Sequence, residues 1–117
     1  MRLATLLLLL PLPLFAADSG HGKQLFLQCA ACHGDHGQGS ETAPPLAGVI
    51  GRKAGSAEDF RYSPAMKRSG ITWDEASLQA FIISPQAKVK GTRMPFAGLG
   101  NESDAADVVA YLKELPG

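Results

Sequence analysis

Residues 29–36 read CAACHGDH. Two cysteines and two histidines stand within eight residues, and the chain has no other cysteine. Three chemistries compete for this set. A closed structural zinc site takes four ligands, and Cys29, Cys32, His33 and His36 are four. But His33 adjoins Cys32, no second ligand pair lies downstream, and His21 is the only other histidine. A thioredoxin-like dithiol places C-x-x-C near a βαβ pattern. No strand precedes Cys29, and no βα alternation appears anywhere. C-x-x-C-H is also the attachment signature of c-type haem, and here the geometry agrees. On a helix, Cys29 and Cys32 lie at i, i+3 on one face, where each sulfur reaches one of two neighbouring vinyl groups. His33, at i+4 from Cys29, turns toward the same porphyrin and offers a ring nitrogen to the iron. One such motif implies one covalently attached haem c. His36 follows too closely to reach the opposite haem face and reads as a solvated loop histidine. His21 receives the same reading.

The ends of the chain bear on this choice. Arg2 precedes a run from Leu3 to Ala17 whose only polar residue is Thr5. Its 15 residues fall short of the ~20 needed to span a bilayer. The basic start, leucine core and closing alanines read as a secretory signal peptide over residues 1–17. A cut after Ala16 or Ala17 leaves Leu14 or Phe15 three residues upstream, larger than usual, so the cut site stays open. Export agrees with covalent haem, which is attached outside the cytoplasm, and predicts a periplasmic protein. Residues 18–117 then form one small domain. Eleven basic side chains face eleven acidic ones, and losing Arg2 leaves a net charge of −1. That excludes a nucleic-acid binder by bulk charge. A domain of ~100 residues with a thin apolar core needs a staple, and a haem supplies one.

Three helices are predicted, and the fold class is all-α. The first is SGHGKQLFLQCAACH, with Leu25, Cys29 and Cys32 on one face beside Phe26 and His33. Ser19 is its expected cap and Gly34 its stop. The second runs from about Trp73 to Ser84. Thr72 and Glu75 have capping-box spacing, and Pro85 ends it. Leu78, Phe81 and Ile82 form its apolar stripe. The third is NESDAADVVAYLKELPG, capped by Asn101 or Ser103, with Val108, Tyr111, Leu112 and Leu115 inward. Between the first two helices lie residues 34–70. A loop that long is out of place in a compact domain unless it wraps a large ligand.

The sixth iron ligand separates functions. A vacant site binds gases or peroxide, whereas two strong axial ligands favour electron transfer. Past the leader, two methionines remain, Met66 and Met94. An arbitrary methionine is usually core filler, and spacing favours Met94, in a loop between the second and third helices. The segment GRKAGSAEDFRYSPAMKRSGITWDEASLQAFIISPQAKVKGTRMPFAGL resembles class I cytochrome c of the mitochondrial type and its bacterial periplasmic relatives. With CAACH, APPLAGVIGRK and VVAYLKEL, the resemblance covers almost all of residues 22–115.

The resemblance implies a class I cytochrome c fold, three main helices and long loops wrapped around one covalent haem. It implies Met94 as the distal sulfur ligand opposite His33. It makes Pro44 the carbonyl that accepts the His33 ring N–H. Arg52, Tyr62 and Trp73 match groups near a buried haem propionate, Thr92 a further hydroxyl there, and Phe96 an aromatic at the exposed haem edge. A buried carboxylate needs such donors. Two departures touch the haem interior. Phe81 stands where the mitochondrial pattern has tyrosine, and Met66 where it has asparagine. Lost donors to the ligand sulfur lower the potential and a more apolar pocket raises it, so the sum is unsigned. Lys88, Lys90 and Arg93 are candidates for a small basic rim. The implied function is a soluble periplasmic one-electron shuttle, not an enzyme. Its implied partners are redox proteins such as a cytochrome bc1-type complex, a terminal oxidase or a reductase. It is expected to be a monomer that meets membranes only through those partners. The alternative is a gas- or peroxide-reactive haem protein with a labile sixth ligand.

Overall fold

Helix α1 spans Ser19–His33, α2 Pro64–Arg68, α3 Glu75–Ile83, α4 Pro85–Lys88 and α5 Glu102–Leu112. The computed structural model describes residues 16–116. Apart from Ala16 and Ala17, the expected leader lies outside them. The described residues form helices and loops, with one isolated antiparallel bridge, Lys53 to Thr72, and no strand. None of their helices is long and apolar enough to cross a membrane.

The three long helices match the sequence reading, but two of their caps differ. The α1 cap is Asp18, whose carboxylate accepts the His21 N–H at 3.1 Å; Ser19 is already helical. For α3 the capping box is Asp74 with Ser77, two residues beyond the expected Thr72 and Glu75. Thr72 is held by its backbone in the bridge to Lys53 instead. Asn101 caps α5 as read, accepting the Asp104 N–H at 2.8 Å. Pro85 does end α3, and it also opens α4 at the first-turn position that needs no N–H. Helix α2 was not predicted. Ser63 caps it and Pro64 starts it, but five residues carry too little periodicity to see.

Helices α1 and α5 cross at Gly22. A Cβ there would sit 1.9 Å from the Asp107 carbonyl oxygen, so only glycine permits this approach. Phe26 of α1 then packs on Tyr111 with ring centroids 5.2 Å apart. Phe26, Ala105, Val108, Val109 and Leu112 form the buried seam. Helix α3 packs on α5 as well and adds Leu78, Phe81 and Ile82 to the core.

The long loop folds back onto the end of α1. Gly34 closes that helix with φ near +90°, where a side chain would be strained. The Gly39 N–H then donates to the His33 carbonyl at 2.7 Å, and the Ser40 hydroxyl to the Cys32 carbonyl at 2.6 Å. Carbonyls that a helix end leaves without partners are thus satisfied by the returning loop. Further on, Trp73 N–H donates to the Arg52 carbonyl at 2.9 Å and Gly51 N–H to the Trp73 carbonyl at 2.7 Å. These bonds set Arg52 and Trp73 side by side.

Candidate functional site

His33 is the last residue of α1 and only 7% exposed. Its Nδ1 lies 2.8 Å from the Pro44 carbonyl oxygen, which the return of loop 37–47 to Gly37 brings there. A carbonyl accepts only, so Nδ1 carries the proton and Nε2 is left as a lone-pair donor. Burial lowers the His33 pKa and Arg52 adds to that, against the raising effect of the Pro44 bond. The ring is therefore a neutral imidazole, the form that binds metals.

All nine residues read from the sequence line one cavity of about 360 Å³: Cys29, Cys32, His33, Pro44, Arg52, Tyr62, Trp73, Thr92 and Met94. Phe96 and Arg93 line it too. Its remaining lining is almost wholly apolar, including Phe26, Leu46, Val49, Leu78, Phe81, Ile82, Val108 and Leu112. The domain's core thus surrounds a space instead of filling it.

Of the two cysteines, Cys29 is half-buried and Cys32 exposed. Burial, with Cys32 adding, pushes the Cys29 thiol up to about 11. The polar groups are few and are donors. Arg52 gives one N–H to the Pro45 carbonyl and has others to spare. The Tyr62 hydroxyl accepts the Ala57 N–H at 3.2 Å, which leaves its own proton to donate. A flat apolar cofactor with carboxylate arms fits this set: thiols at one edge, imidazole within, and guanidinium, phenol and indole for the carboxylates.

Met94 sits on the irregular segment after α4. Gln86 braces it: its side-chain amide donates to the Thr92 carbonyl at 2.8 Å and its oxygen accepts the Gly91 N–H at 3.2 Å. The Leu99 N–H returns the segment to the Ile82 carbonyl at 2.9 Å. Met66, 8% exposed on α2, lines the same cavity, so the cavity contains both methionines. The departures Met66 and Phe81 are both buried in this wall, with Phe81 5.2 Å from Trp73 between ring centroids.

A family model described as cytochrome c matches residues 19–116. The chain belongs to the cytochrome c family. Its cofactor is accordingly one covalent haem c, attached at the motif of Cys29, Cys32 and His33. Among relatives, cytochrome c2 of Rhodoblastus acidophilus is 50% identical over 102 residues, covering 86% of this chain and 94% of that protein. Cytochrome c of Tetrahymena pyriformis is 52% identical over 99 residues, covering 84% and 89%. The solved structure of cytochrome cH from Methylobacterium extorquens superposes with a TM-score of 0.77 at 40% identity, covering 83% of this chain and 98% of that one. The all-α cytochrome c fold follows from both comparisons.

Sequence reasoning missed three residues of this cytochrome. Ser63, 4% exposed, lines the cavity and caps α2 through the Met66 N–H. Gln86 has no local signal, since its role depends on a turn five residues later. His21 is exposed, as read, but its Nδ1 also stands 2.8 Å from Asp107 Oδ2 across the α1–α5 crossing, a contact the reading missed. That bond raises the His21 pKa. His36 is exposed, as read.

Proposed function

We propose that this cytochrome is an exported one-electron carrier whose haem iron is held by His33 on one side and Met94 on the other. One observation carries the reading: a buried, neutral, Pro44-oriented imidazole and a braced methionine line the same apolar cavity. The bound haem supplies an iron that cycles between ferric and ferrous. The chain does the rest. The Pro44 carbonyl holds the His33 ring proton at Nδ1 and keeps Nε2 aimed by one fixed tautomer. Gln86 holds the turn that presents Met94. The apolar wall excludes water and so denies small reactants a place to bind. Arg52 would offset the charge of the cofactor's carboxylates, and Tyr62, Trp73 and Thr92 would offer them hydrogen-bond donors.

The likeness to cytochrome c2 and cytochrome c supports a carrier rather than an enzyme. Lys88, Lys90 and Arg93 are exposed, and Arg93 and Phe96 reach the cavity lining. They support a weak, salt-sensitive contact with redox proteins such as a cytochrome bc1-type complex, an oxidase or a reductase. The leader-like residues 1–17 support a periplasmic location for the domain over 18–117.

The test is visible and resonance spectroscopy of the purified holoprotein. The native protein is expected to be low-spin in both oxidation states, to show the far-red sulfur-to-iron band when ferric, and to resist carbon monoxide when reduced. Met94→Ala should abolish the band, turn the ferric iron high-spin and admit carbon monoxide. Met66→Ala should do none of these. Unchanged spectra in the Met94 variant would overturn the assignment, and rapid carbon monoxide binding by the native protein would favour a gas-reactive role.

A further inference from the structure

The Asp18 backbone nitrogen donates to Asp107 Oδ1 at 2.7 Å, joining positions 89 residues apart. The other carboxylate oxygen, Oδ2, takes His21 Nδ1. Asp104 stands close by: one side-chain ligand atom each from His21, Asp104 and Asp107 lies within 4.8 Å of the others. The Asp18 carboxylate caps the same helix start. Three carboxylates therefore gather around a single histidine, and Asp107 is only 8% exposed. The cluster is short of positive charge. Immediately upstream, Ala16 and Ala17 are exposed and belong to no element. Before them runs the leucine-rich leader. Either alanine suits the position before a leader cut, and neither cut places a small residue three before it. The local sequence does not choose.

We propose that leader removal cuts the Ala17–Asp18 peptide bond, and that the ammonium this leaves on Asp18 locks onto Asp107 and clamps α1 to α5 in the processed protein. The inference rests on the export reading above. The step is a hydrolysis by a leader protease. The C–N bond breaks, and the oxygen of water bonds to the Ala17 carbonyl carbon. The Asp18 nitrogen gains the hydrogen and, at neutral pH, the proton that the new Ala17 carboxyl sheds. No electrons change hands. An amide offers Asp107 one neutral donor at this point. An ammonium offers three donors and a full charge, and such charge-assisted bonds are roughly twice as strong. The positive end of α1 opposes a cation here. The Asp18, Asp104 and Asp107 carboxylates oppose it more. A cut one residue earlier would put the charge on Ala17 and leave Asp107 facing only the neutral Asp18 amide. A cut one residue later would remove both the α1 cap and the Asp107 donor.

The experiment expresses the full chain in a bacterium that matures c-type haem, then reads the intact mass and amino-terminal sequence of the exported holoprotein. Asp18 is expected first. A chain beginning at Ala17 or Ser19 would overturn the cut site. A chain retaining its leader would strike the export reading itself, a distinguishable failure that takes this inference with it. The lock is tested by exchanging the leader so that the processed chain begins at Ala17. That protein should melt about 4–8 °C lower, the step from a neutral to a charge-assisted bond in a domain this size, since its Asp18 amide still donates to Asp107. The difference should vanish when both chains carry Asp107→Asn. Equal melting of the two native-sequence chains would overturn the lock. In the Asp18 protein the terminal amine should titrate above its ordinary ~7.7–8.0, and an ordinary value would equally overturn it.

Discussion

An added methyl group at Gly22 would lie 1.9 Å from the Asp107 carbonyl oxygen and 2.5 Å from its carbon. Two effects compete in Gly22→Ala. Alanine gains ~0.5–1 kcal/mol in a helix interior. The clash falls on backbone, which cannot swing aside, and overpacking of this kind costs about 1–3 kcal/mol or more. The clash wins, so the holoprotein should unfold at lower denaturant with its haem spectrum retained; calorimetry and denaturant titration check this. A glycine in a predicted helix signals such an approach in general terms. Which element approaches is not readable from it, because the partner lies 85 residues away. His21 shows the same limit. Its neighbours in sequence are Gly20 and Gly22, and nothing near it forecasts the carboxylate of Asp107. His33 is the opposite case. Its role was legible because the two cysteines that define it sit within four residues of it.

Helix existence was legible at the scale of whole elements, and two of the three long helices' caps were not. The stripe Leu78, Phe81, Ile82 marked α3, but its cap is Asp74 and not Thr72. The backbone of Thr72 is committed to the bridge with Lys53, so the chain leaves extended structure two residues later than local spacing suggests. Asp74→Ala should therefore lower the melting temperature by a few degrees, ~4–8 °C at most, and fray the first turn of α3. Thr72→Ala should change stability little. Amide exchange at Ser77 and Leu78, with thermal melts of both variants, separates the two caps. Helices α2 and α4 escaped detection because each is shorter than a period-based signal requires. Both matter to the site, since α2 holds Met66 in the wall and Gln86 of α4 braces the turn before Met94.

The apolar residues of the folded domain face inward onto a space of about 360 Å³. Kept dry and empty, such a space costs roughly 9 kcal/mol at ~24 cal/mol per Å³. That matches the whole stability of an ordinary domain, about 5–15 kcal/mol. Cys29→Ala combined with Cys32→Ala should thus leave a chain without cooperative unfolding, seen by circular dichroism and calorimetry. A folded, sharply melting apoprotein would refute the view that the cofactor is the core. What the sequence determined alone was whatever is written locally: the C-x-x-C-H motif, three helical stripes, and a loop too long to stand without a ligand. Motif chemistry needs only neighbours along the chain. The resemblance implied that scattered residues meet at one haem; the tertiary structure alone decided that Ser63 and Gln86 serve that site and that Asp107 receives both Asp18 and His21. Those facts depend on where separate elements come to rest against one another, as Gly22 lets α1 close on α5, and no local stretch of sequence states that.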